Sequence, residues 1–278
     1  MTDPTLHTYI DKWLAARPAR HQALPFMRDT RRDTMLATCA LEHELVSATY
    51  GISEPEVAAA KLNWWGEELG GAAASGGRHP LVKALFADPA VRDIDPAVWL
   101  APVVAALARQ DQATPADFAT QMERTQAFHR TLAALETRIC FGADADPARA
   151  SRMASLDYLL QALTVAPENA TVGRLPLPMD RMARHNLDRD GLADDGSERR
   201  AAVAEQLADL AAQWRQAWQL PGPLSLFRGF DARLGQRWAR RAMRANDPLA
   251  RLRHEQKRQT GFASVRLAWL AARAARAG

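Results

Sequence analysis

The chain has 278 residues, of which 47% are apolar and 24% are charged, as in an ordinary globular protein. One domain of this size can bury most of its apolar surface, and no apolar run approaches the roughly 20 residues of a membrane-spanning helix. Two cysteines without a CxxC spacing argue against a disulfide framework or a zinc site. The N-terminal 20 residues lack an apolar signal segment, so the prediction is a cytoplasmic protein with a single domain spanning 1–278.

Helical periodicity dominates the chain, and no stretch alternates in the manner of a β-strand. A capping residue beside a proline, as in Asp146-Pro147, marks several helix starts. In chain order the pattern predicts helices near residues 5–16, 28–50, 54–74, 79–87, 96–110, 115–141, 147–165, 179–186, 197–220, 229–245 and 256–276. About ten helices in one all-α bundle are therefore expected.

Three segments carry motifs in a recognisable order. They are MLATCALEHE at 35–44, KLNWWGEEL at 61–69 followed by His79-Pro80-Leu81, and QALTVAPENATVGRLPLPMD at 161–180. Over residues 25–190 they resemble the squalene/phytoene synthase family, with its "Leu-x-Trp-Trp-Arg … His-Pro-Val" and "Gly-Arg-x-x-Leu-Pro" signatures. The resemblance implies an isoprenoid synthase-like fold, a bundle of helices around a central cavity.

Head-to-head prenyl coupling ionises an allylic diphosphate, and Mg²⁺ ions must neutralise this leaving group. The resemblance implies two aspartate-rich motifs, one on each of two helices, that hold the metal. In this chain the aspartates of the first motif fall on Glu44, Leu45 and Ala48, and those of the second fall on Val165 and Asn169. One carboxylate of five survives, so no metal is expected, and Mg²⁺ is the cofactor only if the protein is active.

Glu42 is not expected to replace the missing aspartates, because positions two apart on a helix point about 200° apart. The same alignment predicts that aspartates at positions 48, 165 and 169 would restore affinity for Mg²⁺ and diphosphate.

A retained isoprenoid or isoprenyl diphosphate would need polar contacts, and each candidate also has an ordinary structural interpretation. Glu44 is either a remnant ligand or a surface carboxylate. Asp157, Gln161 and Glu168 share one helical stripe with Thr164, which either lines the cavity or faces solvent. The resemblance further suggests three arginines that are otherwise cap or surface residues: Arg31, Arg32 and Arg174.

His43-Glu44-Leu45 and Pro178-Met179-Asp180 resemble a divergent branch of the family, which includes a mitochondrial assembly factor for respiratory complex I. That resemblance implies a non-catalytic or weakly catalytic member that binds an isoprenoid or a protein. The alternatives are a Mg²⁺-dependent head-to-head prenyl transferase and a binder that uses basic helices.

Charge is distributed unevenly along the chain. Residues 229–278 hold twelve basic and three acidic side chains, whereas residues 1–228 hold 24 basic and 29 acidic ones. An apolar stripe of Phe262, Val265 and Trp269 accompanies the basic residues, which favours contact with an acidic partner or an anionic membrane. The competing interpretation places the stripe in the core, and a nucleic-acid partner is not expected.

Overall fold

The computed structural model describes residues 4–27, 31–109, 113–171, 175–257 and 261–276. Throughout these ranges the regular elements are helices, which confirms the predicted all-α fold. The α-helices are α1 (Pro4–Ala16), α2 (Arg32–Tyr50), α3 (Pro55–Ser75), α4 (Pro80–Phe86), α5 (Pro89–Arg92), α6 (Pro96–Leu107), α7 (Phe118–Phe141), α8 (Ala148–Thr164), α9 (Ala166–Thr171), α10 (Met179–Arg184), α11 (Arg189–Ala193), α12 (Ser197–Ala217), α13 (Leu226–Ala242), α14 (Pro248–Lys257) and α15 (Phe262–Ala275). Two short 3₁₀ segments, Pro18–Gln22 and Leu24–Phe26, connect α1 to α2.

The fifteen α-helices in the described ranges exceed the ten or so predicted, because several are shorter than two turns. The helix predicted at 256–276 corresponds to α15, but its predicted start is too early, because α15 begins after Gly261. Residues 256 and 257 belong to α14, a separate helix from Pro248 to Lys257 that was not predicted. The predicted helix end near residue 165 is confirmed, since α8 ends at Thr164, and α9 begins at Ala166 with Pro167 as its second residue. Proline has no backbone N–H and its ring clashes with the preceding turn, so it fits only the first turn of α9.

Side chains cap several of the helix starts at which a polar residue precedes a proline. Asp95 accepts a hydrogen bond from the Ala97 N–H at 2.8 Å, and His79 Nδ1 accepts one from the Leu81 N–H at 3.2 Å. The predicted start of α7 at 115 is three residues early, because Asp117 is its cap. Such caps satisfy N–H groups that have no partner within the helix.

Helices α7 and α8 pack together at the centre of the bundle, and the other helices surround them. The space between this central pair and the surrounding helices is filled by one continuous apolar core. The apolar stripe of α12 is buried there, with Leu207, Leu210 and Trp214 all fully inaccessible to solvent. None of the described helices is both long enough and apolar enough to cross a bilayer. The bundle therefore encloses its functional groups between helices.

Candidate functional site

Five helices, α1, α2, α7, α8 and α13, surround a central cavity of about 90 Å³. Charged side chains make up seven of its sixteen lining residues, many more than in an ordinary small-molecule site. Three arginines and four carboxylates face it: Arg17, Arg20, Arg228, Glu42, Glu136, Asp157 and Asp231. These seven side chains divide into two ion-pair groups.

The first group joins α1 to α8 and α13. Arg17 contacts Asp157 at 2.5 Å and Asp231 at 3.2 Å, and Arg20 contacts Asp231 at 2.7 Å. Burial opposes ionisation of both aspartates, but the charges of Arg20 and Arg17 outweigh it at Asp231 and lower the pKa of that carboxyl. At Asp157 burial prevails, and the pKa is raised. Both carboxylates therefore form ion pairs with guanidinium groups of the protein itself.

The second group centres on Arg228. Its guanidinium contacts Glu42 at 2.5 Å and Glu136 at 2.6 Å, and the Ser225 hydroxyl donates to the other oxygen of Glu136 at 2.5 Å. Burial raises the pKa of Glu136 despite the neighbouring arginine. The lone carboxylate that α2 contributes to the cavity lining is thus Glu42, which the sequence argument had set aside.

An aromatic wall closes the cavity beside these groups. The rings of Tyr50 and Tyr158 stack 4.0 Å apart, and the His129 ring lies 5.1 Å from that of Tyr158. Burial lowers the pKa of His129 well below its ordinary value, and burial with the charge of Arg20 lowers that of His43 to about 4. Both imidazoles are therefore neutral at pH 7. No spacing in the sequence signals this cluster, because its members lie on three separate helices.

Glu44 lies away from this cavity, between α1, α2 and α3. Its carboxylate contacts Lys12 at 2.5 Å and Lys61 at 3.3 Å. Burial opposes ionisation, but Lys12 and then Lys61 lower the pKa of Glu44 below its ordinary value. The other two positions of the first motif, Leu45 and Ala48, are fully buried in the apolar core.

The second motif lies at the far end of α8 from the charged cavity. Val165 is 44% exposed just after the helix ends, and Asn169 follows on α9. The polar stripe on α8 and α9 was predicted either to line the cavity or to face solvent. Of its four residues, only Asp157 is among the residues that line the charged cavity. The others contact α14: Gln161 accepts from Gln256, and Arg253 binds Glu168 at 2.5 Å and the Thr164 carbonyl at 2.7 Å.

The candidate arginines are also separate from the cavity. Arg31 contacts Asp88 at 2.5 Å, and Arg32 donates to the Leu24 carbonyl at 3.5 Å. Arg174 lies outside the described residues. The predicted anion-binding side chains that the structure describes therefore do not converge on one site.

Mg²⁺ does not fit the groups that are present. It requires carboxylate oxygens free to coordinate in a near-octahedral geometry. The carboxylates of the cavity bind arginines instead. Across the described part of the chain, no three His, Cys, Asp or Glu side chains converge in a way that could hold a metal ion.

A second cavity of about 470 Å³ lies beneath α15, in contact with α2, α7 and the start of α13. Its volume falls within the roughly 300–1,000 Å³ of small-molecule sites. Apolar side chains form most of its wall: Phe26, Met27, Met35, Phe141, Leu226, Ala272 and Ala275. The space for an apolar ligand is thus separate from the charged centre.

Comparison with known proteins extends these observations. A family model described as squalene/phytoene synthase matches residues 15–274. The crystal structure of a dehydrosqualene synthase in complex with ligand superposes with a TM-score of 0.75 at 11% identity, covering 99% of this chain and 97% of that chain. Squalene synthase HpnC from Alicyclobacillus acidocaldarius gives a TM-score of 0.58 at 12% identity, covering 98% of this chain and 95% of that chain. A search of curated proteins found no match.

Proposed function

Because the chain belongs to the squalene/phytoene synthase family, we propose that it retains the fold without Mg²⁺-dependent prenyl coupling and acts by binding. The central cavity carries this proposal, since its four carboxylates are each held by an arginine. Prenyl coupling requires carboxylates that hold metal ions against a diphosphate. Here each cavity carboxylate already binds an arginine, which leaves it unavailable to a metal ion.

The charge and size of the cavity support the same proposal. Three arginines against four carboxylates give a formal charge of −1, which repels a diphosphate polyanion. A volume of about 90 Å³ is well below that of sites that enclose small molecules. Opening this cavity would require breaking ion pairs between buried groups.

The binding role that we propose is for an isoprenoid or a protein partner. The 470 Å³ cavity beneath α15 supports an isoprenoid, because its wall is apolar. Resemblance to the branch that contains a complex I assembly factor supports a protein partner and an assembly-factor-like role. Such a protein would act in the cytoplasm, with peripheral membrane contact where its ligand or partner is found.

An activity assay tests the catalytic part of the proposal. The protein is incubated with farnesyl or geranylgeranyl diphosphate, Mg²⁺ and NADPH, and extracts are analysed for squalene, phytoene and released diphosphate. We expect no product above a heat-denatured control, while an active family member yields product under the same conditions. Turnover above the denatured control would overturn the proposal in favour of a prenyl transferase.

A thermal-shift titration with an isoprenoid alcohol tests the binding part. A ligand at 100 times its dissociation constant stabilises the folded state by about 2.7 kcal/mol. Ala272→Phe fills the apolar cavity and should abolish the shift, whereas Ala274→Phe, exposed on the same helix, should preserve it. An equal shift in both variants would place the isoprenoid elsewhere.

A further inference from the structure

Helix α15 presents three of its large apolar side chains to solvent and packs against the bundle mainly through alanines, together with Leu267. Phe262 is 88% exposed, Trp269 47% and Val265 37%, whereas Ala268 and Ala271 are buried against the bundle. In an ordinary surface helix the large apolar residues face the core. The alternative in which Phe262, Val265 and Trp269 belong to the core is therefore wrong, because all three side chains are exposed.

The exposed residues follow one another along a single face of α15. Their spacings of three and four residues keep them in line. We call this set the α15 face: Phe262, Val265, Arg266, Trp269 and Arg273. The guanidinium of Arg273 lies 5.7 Å from the Trp269 ring, so charge and aromatic surface are adjacent.

The positive charge of this region is not neutralised by the protein. Asp231 pairs with Arg17 and Arg20, Asp247 pairs with Arg199, and Glu255 pairs with Arg241 and Arg251. These three are the acidic residues between 226 and 276. All are thereby engaged, and α15 itself carries no acidic residue.

Arginines on α13 and α15 consequently keep their charge toward solvent. Arg240 and Arg244 near the end of α13, and Arg266 and Arg273 on α15, are exposed and form no ion pair with any described residue. Because α15 packs directly against α13, all four belong to one region of the molecule. This region therefore has a positive potential with apolar side chains projecting from it.

We propose that the α15 face docks on an anionic phospholipid bilayer. Phe262, Val265 and Trp269 enter the boundary between headgroups and acyl chains, and Arg266 and Arg273 contact lipid phosphates. An amphipathic helix with aromatic residues and arginines on its exposed side binds at such an interface. The inference does not depend on the central cavity being inactive.

A bilayer accounts for the α15 face better than a protein does. Aromatic residues and arginine are also common in protein interfaces, so the distinction rests on charge: α15 carries exposed arginines and no acidic residue, which favours an anionic surface. Docking of a second copy through the same face would bring arginines against arginines across a two-fold axis. A bilayer instead accepts separate apolar side chains and supplies phosphates for the arginines.

Vesicle sedimentation of the full-length chain tests the proposal, using phosphatidylcholine with and without phosphatidylglycerol. We expect binding to anionic vesicles that weakens as salt rises, because exposed charges are screened over about 10 Å at 0.1 M salt. Arg266→Gln/Arg273→Gln should weaken partitioning roughly 30-fold, since each basic residue contributes about 1 kcal/mol at an anionic surface. Phe262→Ser/Trp269→Ser should weaken it as well, and should also reduce any residual binding to neutral vesicles.

Matched controls carry the same kinds of change on other surfaces. Val104→Ser and Arg130→Gln alter exposed residues on α6 and α7 and should bind vesicles as the parent does. If the folded parent ignores anionic vesicles at low salt, or the α15 variants bind as well as these controls, the proposal is overturned. It is also overturned if light scattering shows a dimer that Phe262→Ser/Trp269→Ser dissociates while vesicle binding is unchanged. The prenyl coupling assay measures catalysis, whereas vesicle binding measures docking of the α15 face. The proposed function and the membrane proposal can therefore be refuted independently of each other.

Discussion

Arg228 lies between the buried carboxylate of Glu136 and the partly buried carboxylate of Glu42, and its charge offsets the repulsion between them. A buried ion pair contributes little net stability, because desolvation offsets most of the attraction. Removing one partner is much more costly, since a charge is left without compensation. The residue is therefore structural, and it closes the centre of the bundle by holding α2 and α7 to α13.

Arg228→Met should lower the free energy of unfolding by about 3–5 kcal/mol at neutral pH, measured by urea denaturation. Burial already raises the pKa of Glu136, and loss of the arginine raises it further. A carboxyl whose pKa is higher in the folded state has its full stability below the unfolded pKa and loses it as pH rises through the folded pKa. The deficit should therefore narrow as pH falls toward the ordinary glutamate range.

Adding Glu42→Gln and Glu136→Gln to Arg228→Met should recover most of the lost stability at neutral pH, because no uncompensated charge remains. Arg130→Met, an exposed change of the same kind, should stay within about 0.5 kcal/mol of the parent. A deficit that is independent of pH and is not rescued would show that Arg228 acts through packing alone.

At the scale of elements, the turn between α12 and α13 fixes how α13 approaches α8. The Arg149 N–H donates to the Pro221 carbonyl at 3.1 Å, and Arg149 Nε donates to the Leu220 carbonyl at 2.7 Å. Gly222 follows with φ of +99°, and a Cβ there would lie 1.8 Å from the Asp146 carbonyl oxygen. This contact between two turns requires glycine, both for its positive φ and for the space.

Gly222→Ala should destabilise the protein by roughly 3–5 kcal/mol, the sum of backbone strain and overpacking. Gly142→Ala is the matched control, because Gly142 has φ of +93° but no atom within 4 Å of its Cβ position. That control should cost only the strain, about 1–2 kcal/mol. Equal losses of thermal stability in the two variants would contradict this prediction. They would mean that the turns at Gly222 and Asp146 can move apart without loss of stability.

For the whole molecule, the positions of the two motifs decide whether a metal site can be rebuilt. A functional site needs two helices that turn carboxylates toward the same space. In this bundle Ala48 is fully buried in the core, whereas Val165 is exposed where α8 ends. The restoration was expected only if the fold had kept the geometry of the site. Because Ala48 and Val165 lie in such different surroundings, we expect that aspartates at these positions will not restore metal binding.

Ala48→Asp/Val165→Asp/Asn169→Asp should lose about 3–5 kcal/mol of stability, because the carboxylate at position 48 is buried without a partner. Val165→Asp/Asn169→Asp alone should cost less than about 1 kcal/mol, since these positions are accessible. Melting temperatures with and without Mg²⁺ and diphosphate should be equal in both variants. If Mg²⁺ and diphosphate stabilised the triple variant but not the double variant, the alignment that assigns positions 48, 165 and 169 to the metal site would be supported.

Local patterns in the sequence were enough to predict the longer helices, the all-α class and the basic C-terminal region, but not several short helices. Helix periodicity, proline and capping residues act over a few positions, so they can be read without the fold. The order of three motifs, ending at Leu177-Pro178, was specific enough to indicate the family, and the family model confirms it.

Only the tertiary structure decided which face of α2 turns toward the centre. Helical spacing separates Glu42 from Glu44 but does not say which of them the neighbouring helices enclose. The answer depends on pairs distant in sequence: Arg228 and Glu42 are 186 residues apart, and Arg17 and Asp231 are 214 apart. Such pairs form only when packing brings the helices together, and for that reason the sequence did not show that arginines bind the carboxylates of the central cavity.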